Sequence, residues 1–173
     1  MPRMEDVPVI SVPVEHLTKA LGILSKHIHK KYRIAYSNMR AYIPLATSSL
    51  PENTKRLIEH LDYELSSFPS SMLPVKKTPL PLSALKKKFG GMIPQSVNII
   101  GDIVTVNELP DENHDKHLIG SILLENFGAR AVFLKVREFS GVMRIASWER
   151  LAGWGDTFTV HKESSCFFAL DIS

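Results

Sequence analysis

Four prolines between residues 69 and 81, at Pro69, Pro74, Pro79 and Pro81, limit the fold more than any other stretch of this chain. Each removes a backbone donor and fixes its own φ, so no helix or ladder strand can run through such a segment. Ser70, Ser71, Lys76 and Lys77 fill the gaps and no apolar period crosses it, so the stretch reads as a linker. It separates 173 residues, 44% of them hydrophobic, into halves that can each bury only a small core. The halves also differ in charge. Residues 1–90 carry 14 Lys or Arg against 7 Asp or Glu, while residues 91–173 carry 7 against 11. A basic first half suits a phosphate-rich partner, although a generic solvated lysine surface has the same composition.

Ahead of the linker, Val7 to Val12 is a β-rich run broken by Pro8 and Pro13, which suits an edge or terminal strand. Leu17, Ala20, Leu21, Leu24 and Ile28 recur at three and four residues and predict a helix over 15–29. Tyr32–Tyr36 and Ala41–Leu45 read as strands joined by a polar turn centred on Asn38. Pro51 and Glu52 open a second helix with Leu57, Ile58 and Leu61 inward, and Tyr63–Phe68 reads as a fourth strand. The order β-α-β-β-α-β over 1–68 is the ferredoxin-like pattern, which hosts many functions. Tyr36 and Tyr42 lack the glycine-aromatic setting of RNA-recognition motifs and read as packing residues.

The Pro/Lys-rich linker over 69–94 includes a short helix, Leu82–Phe89, with Lys86, Lys87 and Lys88 largely off its apolar side and a stop at Gly90-Gly91. A second α+β domain over 95–173 follows. Ser96–Ile100 and Ile103–Val106 flank a Gly101-Asp102 turn, and His114–Phe127 carries a helical apolar face. Ala131–Val136 and Met143–Trp148 read as strands, with Thr157–His161 and Cys166–Ile172 as a closing hairpin.

Reactive constellations are not apparent. The lone Cys166 cannot pair within the chain and is expected to be a buried structural thiol. The histidine pairs His27/His29 and His114/His117 lack the further ligands a zinc site needs. Asp111, Glu112 and Asp115 open a helix, where carboxylates favour the positive end of the dipole. No glycine lies in a G-x-G or G-x-S-x-G setting, and Asn107-Glu108-Leu109-Pro110 reads as a surface turn. No catalytic residue, metal site or cofactor-binding residue is predicted. No apolar run approaches the ~20 residues of a membrane span, and the start lacks a signal-peptide core. The expectation is a cytoplasmic, monomeric protein without membrane contact.

One specific resemblance appears in the second half. Ile100-Gly101-Asp102-Ile103-Val104, His117-Leu118-Ile119-Gly120, the stretch Arg144 to Gly153, and His161-Lys162-Glu163 leading into Phe167-Phe168-Ala169-Leu170-Asp171 follow one another at family spacing. Together they resemble the middle domain of the archaeal and eukaryotic tRNA guanine-N1 methyltransferases, which act on the guanosine 3′ of the anticodon and share the domain with wybutosine-pathway transferases. Against the family's G-E-F-R-V-R-E-L-E-x-L-A-G, this chain keeps Arg144, Glu149 and Leu151-Ala152-Gly153, but Ala146 and Ser147 replace an arginine and a glutamate. That missing arginine, in the family, helps organise the catalytic centre around the target guanine. The family's T-x-H-K-E-N-G is present as Thr159 to Ser165, with Ser164-Ser165 for Asn-Gly. The first half is similar to the small first domain of the archaeal enzymes, which contacts the outer corner of tRNA.

The resemblance implies tRNA as partner, and S-adenosylmethionine as the cofactor of a complete family member. The chain stops at Ser173, just before the joint that leads to the Rossmann-like methyltransferase domain, so it is expected to be inactive alone and to hold no donor site. Phosphate contacts are expected from Lys26, Lys30, Lys31 and Arg33 at the end of the first helix and from Lys86, Lys87 and Lys88 beside the linker. Arg144 and Lys162 would face the anticodon arm or a catalytic domain supplied in cis or trans. The leading expectation is the tRNA-binding N-terminal portion, or a truncated relative, of such an enzyme. The alternative is an interaction module docking on a separately encoded methyltransferase subunit.

Overall fold

A computed structural model describes residues 5–110, 115–137, 146–164 and 166–173, and the chain divides into two units, Met1–Lys76 and Lys77–Ser173. In the first, strand β1 (Asp6–Pro13) is interior to its sheet, not the edge strand that its prolines suggest. It pairs antiparallel with β3 (Arg40–Pro44) and with β4 (Glu64–Pro69). The prolines are tolerated because the ladder to β3 runs from Val9↔Pro44 to Pro13↔Arg40, leaving Pro8 just outside it and Pro13 at its end. Strand β2 (Ala35–Ser37) lies beyond β3, giving the order β2-β3-β1-β4, antiparallel throughout. Asn38 and Met39 join β2 to β3 with φ of 50° and 60°, the left-handed pair that matches a tight hairpin to strand twist.

Helix α1 (Leu17–Leu24) buries Leu17, Ala20 and Leu24 but ends five residues short of the predicted span. Ile28 is instead captured in an extended bridge with Leu45. Helix α2 (Glu52–Ile58) buries Ile58, and Leu61 is buried in the tighter turn that follows. Leu57, expected inward, is 57% exposed because it lies off the Ile58–Leu61 line.

Successive strand residues face opposite ways, so Val7 and Val9 look away from Ile10 and Val12. Val7 and Val9 are covered by Tyr32 and Leu73, with Tyr42, Phe68 and Val75 packed around them. This burial ties the front of the proline-rich segment to the first unit. Arg33 donates its backbone N–H to Pro74 at 2.7 Å, and Lys76 donates to Lys31 at 2.9 Å. Tyr36 is buried and Tyr42 lies 5.6 Å from the Phe68 ring, so both tyrosines pack.

The second unit begins with helix α3 (Leu82–Phe89), which buries Leu85 and stops at Gly90, φ 70°. Strands β5 (Asn98–Ile100) and β6 (Ile103–Val106) form a hairpin about Gly101-Asp102. Helix α4 (Lys116–Phe127) then crosses over to β7 (Ala131–Arg137), which lies parallel to β6. Strand β8 (Ala146–Gly153) completes the sheet β5-β6-β7-β8. The predicted strand at 143–148 thus runs on to Gly153, while Met143–Ile145 lie outside the described residues. Leu85 and Ile93 join Val104, Ile119, Leu123 and Val132 in one core. Strands β9 (Phe158–Glu163) and β10 (Cys166–Asp171) make a separate two-stranded sheet. Cys166 is free and exposed rather than buried, because β10 has a strand neighbour on one side only. The architecture is mixed α+β.

Candidate nucleic-acid interface

Three of the stretches that carry the resemblance meet at one buried point. Arg130, 1% exposed, donates from Nε to Asp102 Oδ2 at 2.8 Å, and Asp102 is itself 1% exposed. Thr159 donates its hydroxyl to Asp102 Oδ1 at 2.7 Å. Three of the four remaining guanidinium N–H groups reach the carbonyls of Trp154 (2.7 Å), Asp156 (3.3 Å) and Phe158 (2.8 Å). A buried ion pair persists when its leftover donors and acceptors find partners in place, and most of these do. The cluster is therefore a framework that ties the Gly101-Asp102 turn and the entry to β7 to β9 and the 154–157 loop. Nothing in the sequence reading singled out Arg130. The available signal was a lone arginine at the entry to an apolar strand, opposite in charge to Asp102.

Glycines allow the close approaches around it. A Cβ on Gly153, φ 84°, would sit 2.0 Å from the Arg130 carbonyl oxygen, and one on Gly101, φ 58°, would sit 2.2 Å from Thr159 Oγ1. Gly120 likewise lets α4 approach Leu151 on β8, where an added Cβ would be 2.6 Å from Leu151 Cβ. One turn earlier His117 Nδ1 lies 3.0 Å from the Leu151 carbonyl, and a carbonyl can only accept, so Nδ1 carries the proton. His117 and Gly120 thus dock the helix on the Leu-Ala-Gly segment. Asp115 caps α4, accepting from the backbone N–H groups of His117 (2.9 Å) and Leu118 (3.2 Å). Asp111, Glu112 and His114 lie outside the described residues.

Of the predicted phosphate contacts in the first unit, Lys26, Lys30 and Lys31 are exposed and Arg33 is half-buried. They sit on the connection between α1 and β2, not on the helix. That connection is stitched down by His29 N–H to Pro44 O and Ala46 N–H to His27 O, both 2.8 Å. Its pairing with the 74–76 segment brings Lys76, a cation of the proline-rich stretch, beside Lys31. In the second unit Lys87 is exposed, Lys86 donates to Gln95 Oε1 at 2.7 Å, and Lys88 lies 5.0 Å over the Phe89 ring. All three occupy the last turn of α3, where the helix end itself favours cations. Lys162 is exposed on β9, 5.5 Å from the ring of Phe167, its partner across the β9–β10 ladder. Arg144 lies outside the described residues, and Ala146 is the first residue of β8. At the end of β10, hydrogen bonds from Thr157 and Ser173 hold the Asp171 carboxyl below its ordinary range.

Residues 82–157 match the family model described as the TYW2 N-terminal domain. The tRNA (guanine(37)-N(1))-methyltransferase Trm5b of Methanocaldococcus jannaschii is 26% identical over 163 residues, which cover 90% of this chain and 48% of that protein. Among solved structures, the aTrm5 chain of the complex of aTrm5 and tRNALeu is 24% identical, with a TM-score of 0.45 over 95% of this chain and 51% of that one. Trm5b from Pyrococcus abyssi is 20% identical, with a TM-score of 0.42 over 96% of this chain and 48% of its own. The chain spans about half the length of these relatives.

Proposed function

We infer the function from one premise: this chain belongs to the Trm5/TYW2-type family. We propose that it is the tRNA-recognising N-terminal portion of a tRNA (guanine-37-N1) methyltransferase or wybutosine-pathway relative, gripping tRNA by shape and charge and positioning the anticodon arm. The observation that carries this reading is the pair of lysine surfaces, exposed Lys30 and Lys31 with Lys76 on the first unit and exposed Lys87 and Lys88 beside half-buried Lys86 on the second. We read the first unit, with its sheet order β4-β1-β3-β2 and two intervening helices, as ferredoxin-like. The division into a small basic domain over 1–68, a Pro/Lys-rich link over 69–94 and a middle domain over 95–173 belongs to this reading, as do a monomeric state and a cytoplasmic address.

Methyl transfer is assigned elsewhere in the whole protein, where S-adenosylmethionine would supply the methyl group. We assign none of the described residues to that donor. Gly101 and Gly153 press against packed backbone, and Gly90-Gly91 close a helix where a donor cradle follows a strand.

The test is fluorescence anisotropy with intact tRNA and with an unstructured RNA of equal length, at stepped salt. Affinity for tRNA should fall with a log-log slope of several units, about 0.7–0.9 for each phosphate contacted, and should exceed that for the unstructured strand. A flat response, or equal affinities, would sink the proposal. The second reading, docking on a separate methyltransferase subunit, is favoured by one observation: β10 turns Phe168 (47% exposed) and Leu170 (39% exposed) outward on the same face as Cys166.

A further inference from the structure

The second unit holds a cleft of about 250 Å³ between α3, α4 and the segment leading into α3. Its volume is below the ~300–1,000 Å³ of ordinary small-molecule pockets, and it suits a single nucleoside. Leu85, Phe89 and Ile122 form an apolar floor. One wall is built rigidly: the Asn126 amide accepts from the Leu80 backbone N–H at 3.0 Å and donates to its carbonyl at 3.1 Å. The rim carries Lys77, Lys88 and Glu125, all exposed. Among the described residues, no hydrogen bond or ion pair engages the Glu125 carboxylate or the Lys77 ammonium, and Lys88 makes only its contact with Phe89.

An apolar floor beneath one acceptor and two cations matches the parts of a nucleotide. Resting on the RNA-binding reading above, we propose that this cleft takes one unpaired nucleotide of the bound RNA, base inward, with Glu125 accepting from the base and Lys77 and Lys88 holding its phosphates. A carboxylate accepts only, so it selects among bases by their donors. Guanine presents two adjacent N–H groups on its pairing edge, one for each carboxylate oxygen. Adenine and cytosine each present one amino group. Uracil sets its single N–H between two carbonyl oxygens, which the carboxylate repels. The predicted order is guanine first and uracil last. An acidic peptide, the other polyanion a lysine rim attracts, would bring its carboxylates against Glu125.

The assignment is tested by titrating the isotope-labelled full chain with GMP, AMP, CMP and UMP while following backbone amide resonances. GMP should shift Leu80, Phe89 and Asn126 and bind on the order of tenfold more tightly than UMP, as one hydrogen bond to a charged group allows. Glu125→Gln should bring the two within about twofold, and Lys77→Gln with Lys88→Gln should weaken all four alike. All three side chains are exposed, so these variants retain the fold. Absence of shifts at millimolar nucleotide, shifts confined to other residues, an unchanged base order in Glu125→Gln, or displacement of GMP by an acidic peptide would each overturn the assignment. Tight tRNA binding that leaves the cleft resonances unmoved would reject the cleft while sparing the proposed function. A filled cleft with no attraction to tRNA would do the reverse.

Discussion

Arg40 in the first unit and Arg130 in the second are used in opposite ways. In the first, Arg40 ties strand to loop at the surface, donating to Ser11 Oγ at 3.2 Å and to the Asp62 carbonyl at 2.8 Å, and the core beneath is apolar. In the second, Arg130 is sealed inside and gathers a carboxylate, two loop carbonyls and one from β9. The contrast separates two meanings of a family pattern. Gly101-Asp102, Gly120, Gly153 and Thr159 carry the family resemblance because the packing of the second unit admits few alternatives there, whereas the lysines proposed for phosphate contact, Lys162 apart, sit outside those patterns.

Changes at the buried pair should separate the units most sharply. Arg130→Met leaves Asp102 buried without its partner and should cost the second unit about 3–5 kcal/mol. In hydrogen exchange, amides of β6, β7 and β9 should lose protection while those of β1 and β3 keep theirs. Equal loss in both units would erase the contrast. Gly153→Ala comes next, at about 1–3 kcal/mol, because its left-handed φ strains any side chain and the added carbon meets backbone. A denaturation midpoint unchanged from the parent would contradict that.

Acid should produce a smaller, local effect. The Asp171 carboxyl is depressed chiefly by the Thr157 hydroxyl and then by Ser173, so its contribution is complete above its ordinary value of 3.8 and fades as pH falls through the lower folded value. Resonances of Thr157 and Ser173 should move together in that acid window, and Thr157→Val should abolish the joint movement. Replacing Lys30, Lys31 and Lys76 by Gln should barely touch stability, within about 0.5 kcal/mol. It should nonetheless reduce the tRNA salt slope by about two to three units if all three reach phosphates. A stability loss above that bound would mean the first unit also uses its cations internally.

Legibility in the letters followed the kind of signal. Helix α3 matches its predicted span because a glycine pair ends it and a single leucine face seats it. The α1 prediction overran because periodicity cannot see that the chain after Leu24 is drawn into pairing with Leu45 and Val75. The same tertiary pull packs the front of the proline-rich segment onto the first unit, where Leu73 covers Val7 and Val9. The prolines of β1 misled because what matters is which ladder position lacks a donor, and that depends on register. The exposure of Cys166 followed from an edge that composition cannot reveal. On the candidate interface, charge runs identified the exposed lysines, but Lys76 joined Lys31 only through backbone pairing between distant segments.

One guanidinium that collects oxygen atoms from far-apart parts of the chain also restricts inheritance. Asp102 cannot drift to a neutral residue while Arg130 stays, and Thr159 shares the same carboxylate. Descendants should therefore keep these positions, with the glycines wedged beside them, as one block, or exchange them together for an oily interior.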